Sequence, residues 1–322
     1  MRVVSGMRPT GRLHLGHYLG VLKNWKELQH KYECFFFVAD WHALSTKYDE
    51  GLDLKEHSVE LVKEWIASGI EPEKTTLFIQ SAVKEHAELY LVLNMITPVS
   101  WLERNPTYKD ALMQPEYRKK NNAGFLTYPV LQTADIVLYD ADVVPIGEDQ
   151  KPHLELAREI VRHFHNIYKK EVFKEPKELL TEVARLPGLD GRKMSKSYNN
   201  AIYLDDSSKE VMQKVRQAKT DPARIKKTDP GHPEVCVVFE YHRAFSSSDE
   251  VREIEQACRA GSIGCVECKK RCAANIEKVL EPIREKKAKL KNDEILDIIN
   301  HSNKKAKTIA DAKMQEVNKV IF

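Results

Sequence analysis

The chain has 322 residues, 42% of them hydrophobic, with 51 basic and 48 acidic side chains and a formal net charge of +3. A chain of this length holds one large domain and a smaller one, and near-balanced charge confines any nucleic-acid surface to a local patch. No apolar run is long enough to span a bilayer, no leader precedes the first strand-like residues, and the six cysteines do not read as a secreted disulfide framework, so a cytoplasmic protein is expected.

The β-branched pair Val3–Val4 leads into a cluster of turn residues (Ser5–Gly6, Arg8–Pro9, Thr10–Gly11), and apolar residues then recur at Leu15, Tyr18, Leu19, Leu22 and Trp25. This pattern reads as strand, turn and helix. At the carboxyl end of a parallel strand, the free amides of such a helix favour phosphate, and Gly16 allows close approach. His14 and His17, three apart, share the face of the first turn, where they can donate hydrogen bonds to phosphate oxygens. Two ordinary surface histidines are the bland alternative. Strand-like runs at Cys34–Ala39, Thr75–Ile79 and Asp142–Pro145 alternate with helical patterns at Leu54–Ile66, His86–Met95, Tyr128–Tyr139 and Leu154–Tyr168. The alternation predicts a Rossmann-like, doubly wound parallel sheet wrapped by helices.

Farther along, Pro187, Gly188, Asp190 and Gly191 predict an exposed, mobile loop, and Lys193-Met194-Ser195-Lys196-Ser197 follows it. Paired lysines suit a pyrophosphate leaving group whose charge grows in the transition state; a solvated basic patch is the routine alternative. Beyond residue 205 the strand signal fades. Glu210–Ala218, Val251–Ala260 and Cys272–Leu290 read as helices, which predicts a smaller all-helical domain. Cys236, Cys258, Cys265 and Cys268, with a CxxC pair among them, suggest Zn²⁺ or a 4Fe-4S cluster more than a disulfide, and Cys34 reads as a packed core residue. Lys209, Lys214, Arg216, Lys219, Arg224, Lys226, Lys227, Lys269, Lys270, Arg271 and Lys278 form a basic patch in the same half.

Taken together and in this order, Gly11–His17 and Lys193–Ser197 resemble the HIGH and KMSKS signatures of the class I aminoacyl-tRNA synthetases. The opening Ser5–Gly11, the stretch Gly124–Ile136 and the stretch Val144–Gln150 look like the bacterial-type tryptophanyl-tRNA synthetases, and the resemblance runs over nearly the whole chain. It implies ATP- and Mg²⁺-dependent formation of tryptophanyl-adenylate, then transfer to tRNA(Trp), by a homodimer. ATP contacts are implied at Arg8, Pro9, Thr10, Gly16 and His17, with His14 beside them. Gly147, Glu148 and Asp149 are implied at the ribose edge, Leu186 at adenine, and Lys193, Met194, Ser195, Lys196 and Ser197 at the phosphates. His14, His17, Lys193 and Lys196 would carry the catalysis. Tryptophan would meet Asp135, Tyr128, Gln150, Ser5, Gly6, Val144 and Ile146. At the cysteines the resemblance implies the 4Fe-4S cluster, with Zn²⁺ as the alternative.

Spacing adds chemistry to one of these roles. Tyr128, Gln132, Asp135 and Tyr139 fall on one helical face. An indole has one N–H donor and no acceptor, so an acceptor-only Asp135 suits it and rejects phenylalanine. Pairing with a basic side chain, or capping of a local turn, is the competing explanation for Asp135. Asp149 has one as well, as the cap of a helix beginning near Gln150. A tyrosyl-tRNA synthetase is the main rival, because a buried aspartate also accepts from a phenol and Gln132 is familiar from tyrosine enzymes. A catalytically inactive relative that binds RNA or tryptophan is a third reading. The expected division places the nucleotide- and tryptophan-binding domain at residues 1–190, the lysine loop and helical anticodon-binding domain at 191–300, and a terminal helix at 301–322; that this helix packs back on the first domain is implied by the resemblance alone, not by the pattern.

Overall fold

The computed structural model describes residues 1–51, 53–113, 121–180 and 186–322, with the side chains of Asp149 and Ser197 outside the description. Contacts divide the chain into two units. The first comprises residues 1–11, 25–182 and 291–322, and the second residues 12–24 and 183–290.

The first unit is built on five parallel strands in the order β3-β2-β1-β4-β5, namely β1 (Arg2–Met7), β2 (Glu33–Val38), β3 (Thr75–Ile79), β4 (Val143–Ile146) and β5 (Lys177–Leu180). Strands covered on both faces need side chains that are apolar on both faces. The run Cys34-Phe35-Phe36-Phe37-Val38 meets that demand, every residue in it being buried. On one face Trp25 stacks on Phe36 at 4.1 Å, with Trp65 edge-on at 5.0 Å. On the other face Phe35 stacks on Tyr139 at 5.2 Å. The edge strand β5 has no counterpart among the expected strands. Its side chains are largely exposed, so no apolar run marks it.

The strand order reverses between β1 and β4, which pair only through Val3 and Val143. In open sheets of this kind, ligands bind beyond the carboxyl ends of the strands at such a switch point. The carboxyl end of β1 leads into Arg8–Thr10, and that of β4 into Gly147–Gln150. The long helix Asn292–Ile321 belongs to this unit and buries Ala306, Ala310, Met314 and Val317 in the core that also holds Phe35, Phe78 and Leu89. Its buried Lys313 donates to the Val172 carbonyl at 2.9 Å and pairs with Asp140 at 2.9 Å.

The second unit carries the histidine segment, the lysine loop and the helices Ser208–Gln217, Val237–Phe245, Ser248–Arg259 and Cys265–Lys289. The last of these begins at Cys265 rather than at the expected Cys272, which puts Cys265, Cys268 and Cys272 on one helix. The single helix expected from Leu15 is instead a short α turn (Leu15–His17), a π-helical turn (Tyr18–Leu22) and a helix (Lys23–Leu28). Among the described residues, no helix is long and apolar enough to cross a membrane.

Candidate functional site

In the second unit, His14 is an extended residue at the head of the Leu15–His17 turn. Its backbone N–H donates to His17 Nδ1 at 3.2 Å, and the two rings lie 3.8 Å apart. The Leu15 N–H donates to the Ile202 carbonyl and the Leu204 N–H to the Leu13 carbonyl, both at 2.9 Å, so residues 13–15 are zipped to the chain just past the lysine loop. Arg12 locks that zipper. It donates to Asp205 at 2.8 Å and to the buried Asp206 at 3.0 Å, Lys214 binds the other Asp206 oxygen, and both cations lie over the Tyr203 ring.

This pairing brings the two sequence motifs together. The Gly16 backbone lies against the loop, since a Cβ built on it stands 3.8 Å from Met194 Sδ. Burial, followed by the charges of Lys196 and Lys193, pushes the His14 imidazole down to about pH 4. At neutral pH His14 is therefore uncharged, so its imidazole can offer a hydrogen bond but not a positive charge. Lys193 is exposed, Ser195 and Lys196 are half-buried, and Met194 and Leu186 are buried. The expected exposed loop is thus anchored by its one apolar member, Met194. The Ser197 side chain lies outside the described residues.

In the first unit, Ser5 and Gly6 on β1 and Val144 and Ile146 on β4 flank the switch point, with Arg8, Pro9 and Thr10 and then Gly147, Glu148 and Gln150 just beyond the strand ends. Gly6 tolerates no side chain, because a Cβ there would lie 2.5 Å from the Phe37 ring. Arg8 is exposed and donates to Thr46 Oγ1 at 3.2 Å, and Glu148 pairs with Lys151 at 2.8 Å. Val144 and Ile146 are buried among core residues. The Asp149 side chain lies outside the described residues, and the following helix carries Gln150 as its cap residue.

Asp135 is fully enclosed and richly partnered. His42 Nε2 donates to one carboxylate oxygen at 2.7 Å, while His86 Nδ1 (2.6 Å) and Gln80 Nε2 (2.7 Å) donate to the other. The far nitrogen of His86 shares a hydrogen bond with the Tyr139 hydroxyl at 2.8 Å. Burial raises the Asp135 carboxyl, but the charges and hydrogen bonds of His42 and His86 outweigh it and hold the group below the usual carboxylate range. The same burial, with the Asp135 charge, pushes the Tyr139 hydroxyl well up. A pairing explanation of Asp135 is thus realised, with imidazoles as partners. Three donors leave one of about four carboxylate lone-pair positions for a further donor.

Beside this cluster lies a cavity of about 530 Å³ with an aromatic wall that includes Trp41, His42, Tyr48, Tyr90 and Tyr128. Asp135 is not part of that wall; it stands one hydrogen bond behind His42. Sequence reasoning missed His42, Gln80 and His86. They lie 93, 55 and 49 positions from Asp135, so no local spacing marks them.

Cys236, Cys258, Cys265 and Cys268 line one small pocket with Arg224 and Lys269. Burial, and then the neighbouring thiols, push Cys268 up to about 12, and burial raises Cys236 and Cys258. Among the described residues, however, no group of three or more His, Cys, Asp or Glu is set to hold a metal ion. The arrangement supports neither the zinc alternative nor the cluster beyond the shared pocket. Several residues of the expected basic patch are also engaged at home. Arg224 donates to the Lys227 and Ile263 carbonyls, Lys269 to those of Arg216 and Ala218, and Arg271 pairs with Glu250 and Glu253.

These features have known counterparts. The sequence model of the class I tRNA synthetases (W and Y) matches residues 1–281. The tryptophan–tRNA ligase of Thermotoga maritima is 51% identical over 100% of this chain and 99% of its own, and that of Aquifex aeolicus is 45% identical with the same coverage. Among solved structures, a Campylobacter jejuni tryptophanyl-tRNA synthetase complexed with ADP and tryptophan has a TM-score of 0.88 at 34% identity, covering 100% of this chain and 99% of that one. A tyrosyl-tRNA synthetase from Archaeoglobus fulgidus, with a TM-score of 0.68 at 22% identity, shares the fold. The parallel sheet, the paired motifs and the full-length identities lead to one conclusion: the chain belongs to the class I aminoacyl-tRNA synthetases, and within them to the tryptophan–tRNA ligases.

Proposed function

We infer that the chain activates L-tryptophan with MgATP, releasing pyrophosphate, and then transfers the tryptophanyl group to tRNA(Trp). The observation that carries this reading is the full-length identity to tryptophan–tRNA ligases, coupled with the meeting of His14, Lys193 and Lys196 in one unit. The tryptophan carboxylate, ionised at neutral pH, attacks the α-phosphorus in line, and the bond to the pyrophosphate oxygen breaks as the new one forms. No protein nucleophile or general base is required. Positioning and neutralisation of the leaving charge supply the acceleration.

In this reading His14, Gly16 and His17 hold the phosphates by hydrogen bonds, and Lys193 to Ser197 supply the countercharge. Arg8, Pro9 and Thr10 also contact ATP, Gly147 to Asp149 edge the ribose, and Leu186 meets adenine. Asp135 accepts from the indole N–H through its remaining lone pair. Tyr128, Gln150, Ser5, Gly6, Val144 and Ile146 complete the tryptophan site, to which we add His42. Asp135 favours an ionised, acceptor-only state, which supports the reading. Lys193→Ala or Lys196→Ala slows adenylate formation by about 100-fold with tryptophan affinity retained; equal loss in both would assign the loop a merely structural part.

For the cysteines, the finer proposal is a 4Fe-4S cluster held by Cys236, Cys258, Cys265 and Cys268. Each thiolate of such a cluster binds its own iron, so the sulfurs surround a common space without converging on one ion. A shared pocket fits that arrangement. Anaerobically purified protein that is colourless and free of iron and sulfide removes the proposal. A homodimer in the cytoplasm completes the picture; Leu91 and Met95, exposed one turn apart on the helix Glu85–Ile96, offer an apolar surface for a second copy.

A further inference from the structure

Asn200 is 3% exposed, and its amide uses every hydrogen-bonding group it has. Its Oδ1 accepts from the Ser195 N–H at 2.9 Å, while its Nδ2 donates to the Lys193 carbonyl at 3.1 Å and to Asp190 Oδ1 at 2.7 Å. Two of these partners are backbone groups inside the lysine motif. The third, Asp190, also accepts from the Arg192 N–H at 3.0 Å and from its guanidinium at 2.6 Å, which fixes the turn that precedes the motif. The backbone of Asn200 joins in as well, its carbonyl accepting from the Leu189 N–H at 2.9 Å.

The packing around the amide is closed. Gly188 lies directly against it, and a Cβ there would stand 2.1 Å from Asn200 Nδ2. Only two residues farther along, Ile202 accepts from the Leu15 N–H, and Tyr203 bridges to His14. Asn200 therefore joins the backbone of the lysine motif to the stretch that is zipped to the histidine segment. No other side chain of this length accepts one hydrogen bond while donating two; aspartate lacks the donors and leucine lacks all three.

We propose that Asn200 is a positioning residue for adenylate formation, setting the backbone at Lys193 and Ser195 so that the two lysine ammonium groups meet the triphosphate. The proposal rests on the reading of Lys193 and Lys196 as the triphosphate grip. The Asn200 amide is already committed to Ser195, Lys193 and Asp190. It acts through the backbone it pins, and losing it lets the lysines wander by an ångström or more, a displacement that costs up to about 100-fold in a step dominated by positioning.

The test compares Asn200→Ala, Asn200→Asp, Gly188→Ala and Lys196→Ala in the full-length protein. Four readouts are needed: tryptophan-dependent ATP–pyrophosphate exchange, tryptophan affinity by calorimetry, thermal midpoint, and transfer from preformed adenylate to tRNA. Expected for Asn200→Ala is a fall of about 10- to 100-fold in the exchange kcat, with tryptophan affinity and the transfer rate unchanged. Asn200→Asp, which keeps size and the acceptor but loses both donors, falls in the same direction and serves if the alanine variant does not fold. Gly188→Ala, which leaves Asn200 in place but crowds its nitrogen, does likewise. Normal exchange in Asn200→Ala and Asn200→Asp, or an equal loss of exchange and transfer, overturns the proposal. If Lys196→Ala exchanges normally, the underlying reading of the lysine loop fails first and is recognised separately.

Discussion

In the proposed reading Asp135 is the residue on which amino-acid choice turns, and its partners are side chains remote in sequence. Spacing alone puts it on a helical face with Tyr128 and Tyr139, but its hydrogen-bond donors come from three other segments, and two of them, His42 and His86, hold it below the usual carboxylate range. Asp135→Asn, which turns part of an acceptor-only group into a donor facing the imidazoles, lowers kcat/KM for tryptophan by about 10- to 100-fold, equivalent to roughly 1–3 kcal/mol. Pyrophosphate exchange measures it, and an unchanged KM would place the indole elsewhere. His14 gives a second residue-level prediction. It titrates near 4 in the folded chain and near 6.5 when unfolded, so the unfolded chain takes up the proton first as pH falls. The contribution is complete above pH 6.5 and is lost between pH 6.5 and 4, at most about 3 kcal/mol. Urea midpoints at pH 7 and pH 4.5 check it: His14→Gln loses less stability over that interval than the parent, and identical losses contradict the assignment.

At the scale of elements, legibility followed physical cause. Strand β2 announces itself because a parallel strand buried on both faces needs a continuous apolar run, and β1, β3 and β4 do so through shorter buried β-branched or apolar stretches; β5 does not, because its side chains are largely exposed. The Tyr18–Leu22 segment keeps a helical apolar pattern although its hydrogen bonds are π-type, a difference that periodicity does not register. The lysine segment reads as an exposed loop, yet Met194 anchors it and Asn200 pins it through contacts that no motif displays. The packing of Asn292–Ile321 into the sheet unit's core likewise follows from small buried residues, Ala306 and Ala310, whose role shows only in the fold. Ala310 is fully buried, so Ala310→Leu overpacks the core and costs about 1–3 kcal/mol. A lowered urea midpoint with an unchanged m-value is expected; no change would mean that the helix is loosely held.

For the whole molecule, the doubly wound sheet was readable because burial constrains residue type, and the two motifs were readable through their joint resemblance to the class I signatures, each alone fitting a solvated patch as well. The placement of residues 12–24 with the lysine loop rather than with the sheet was not readable, since it rests on backbone pairing of Leu13 and Leu15 with Leu204 and Ile202, across a stretch of sequence that belongs mostly to the other unit. Light scattering on the purified chain is expected to give twice the monomer mass, and a monomer at micromolar concentration would contradict the role given to Leu91 and Met95. The most direct measurement for the central claim is ATP–pyrophosphate exchange run with each amino acid separately. Exchange with tryptophan that disappears in Lys196→Ala, with background rates for tyrosine and phenylalanine, is expected. Exchange with tyrosine instead, or none with any amino acid, would contradict it.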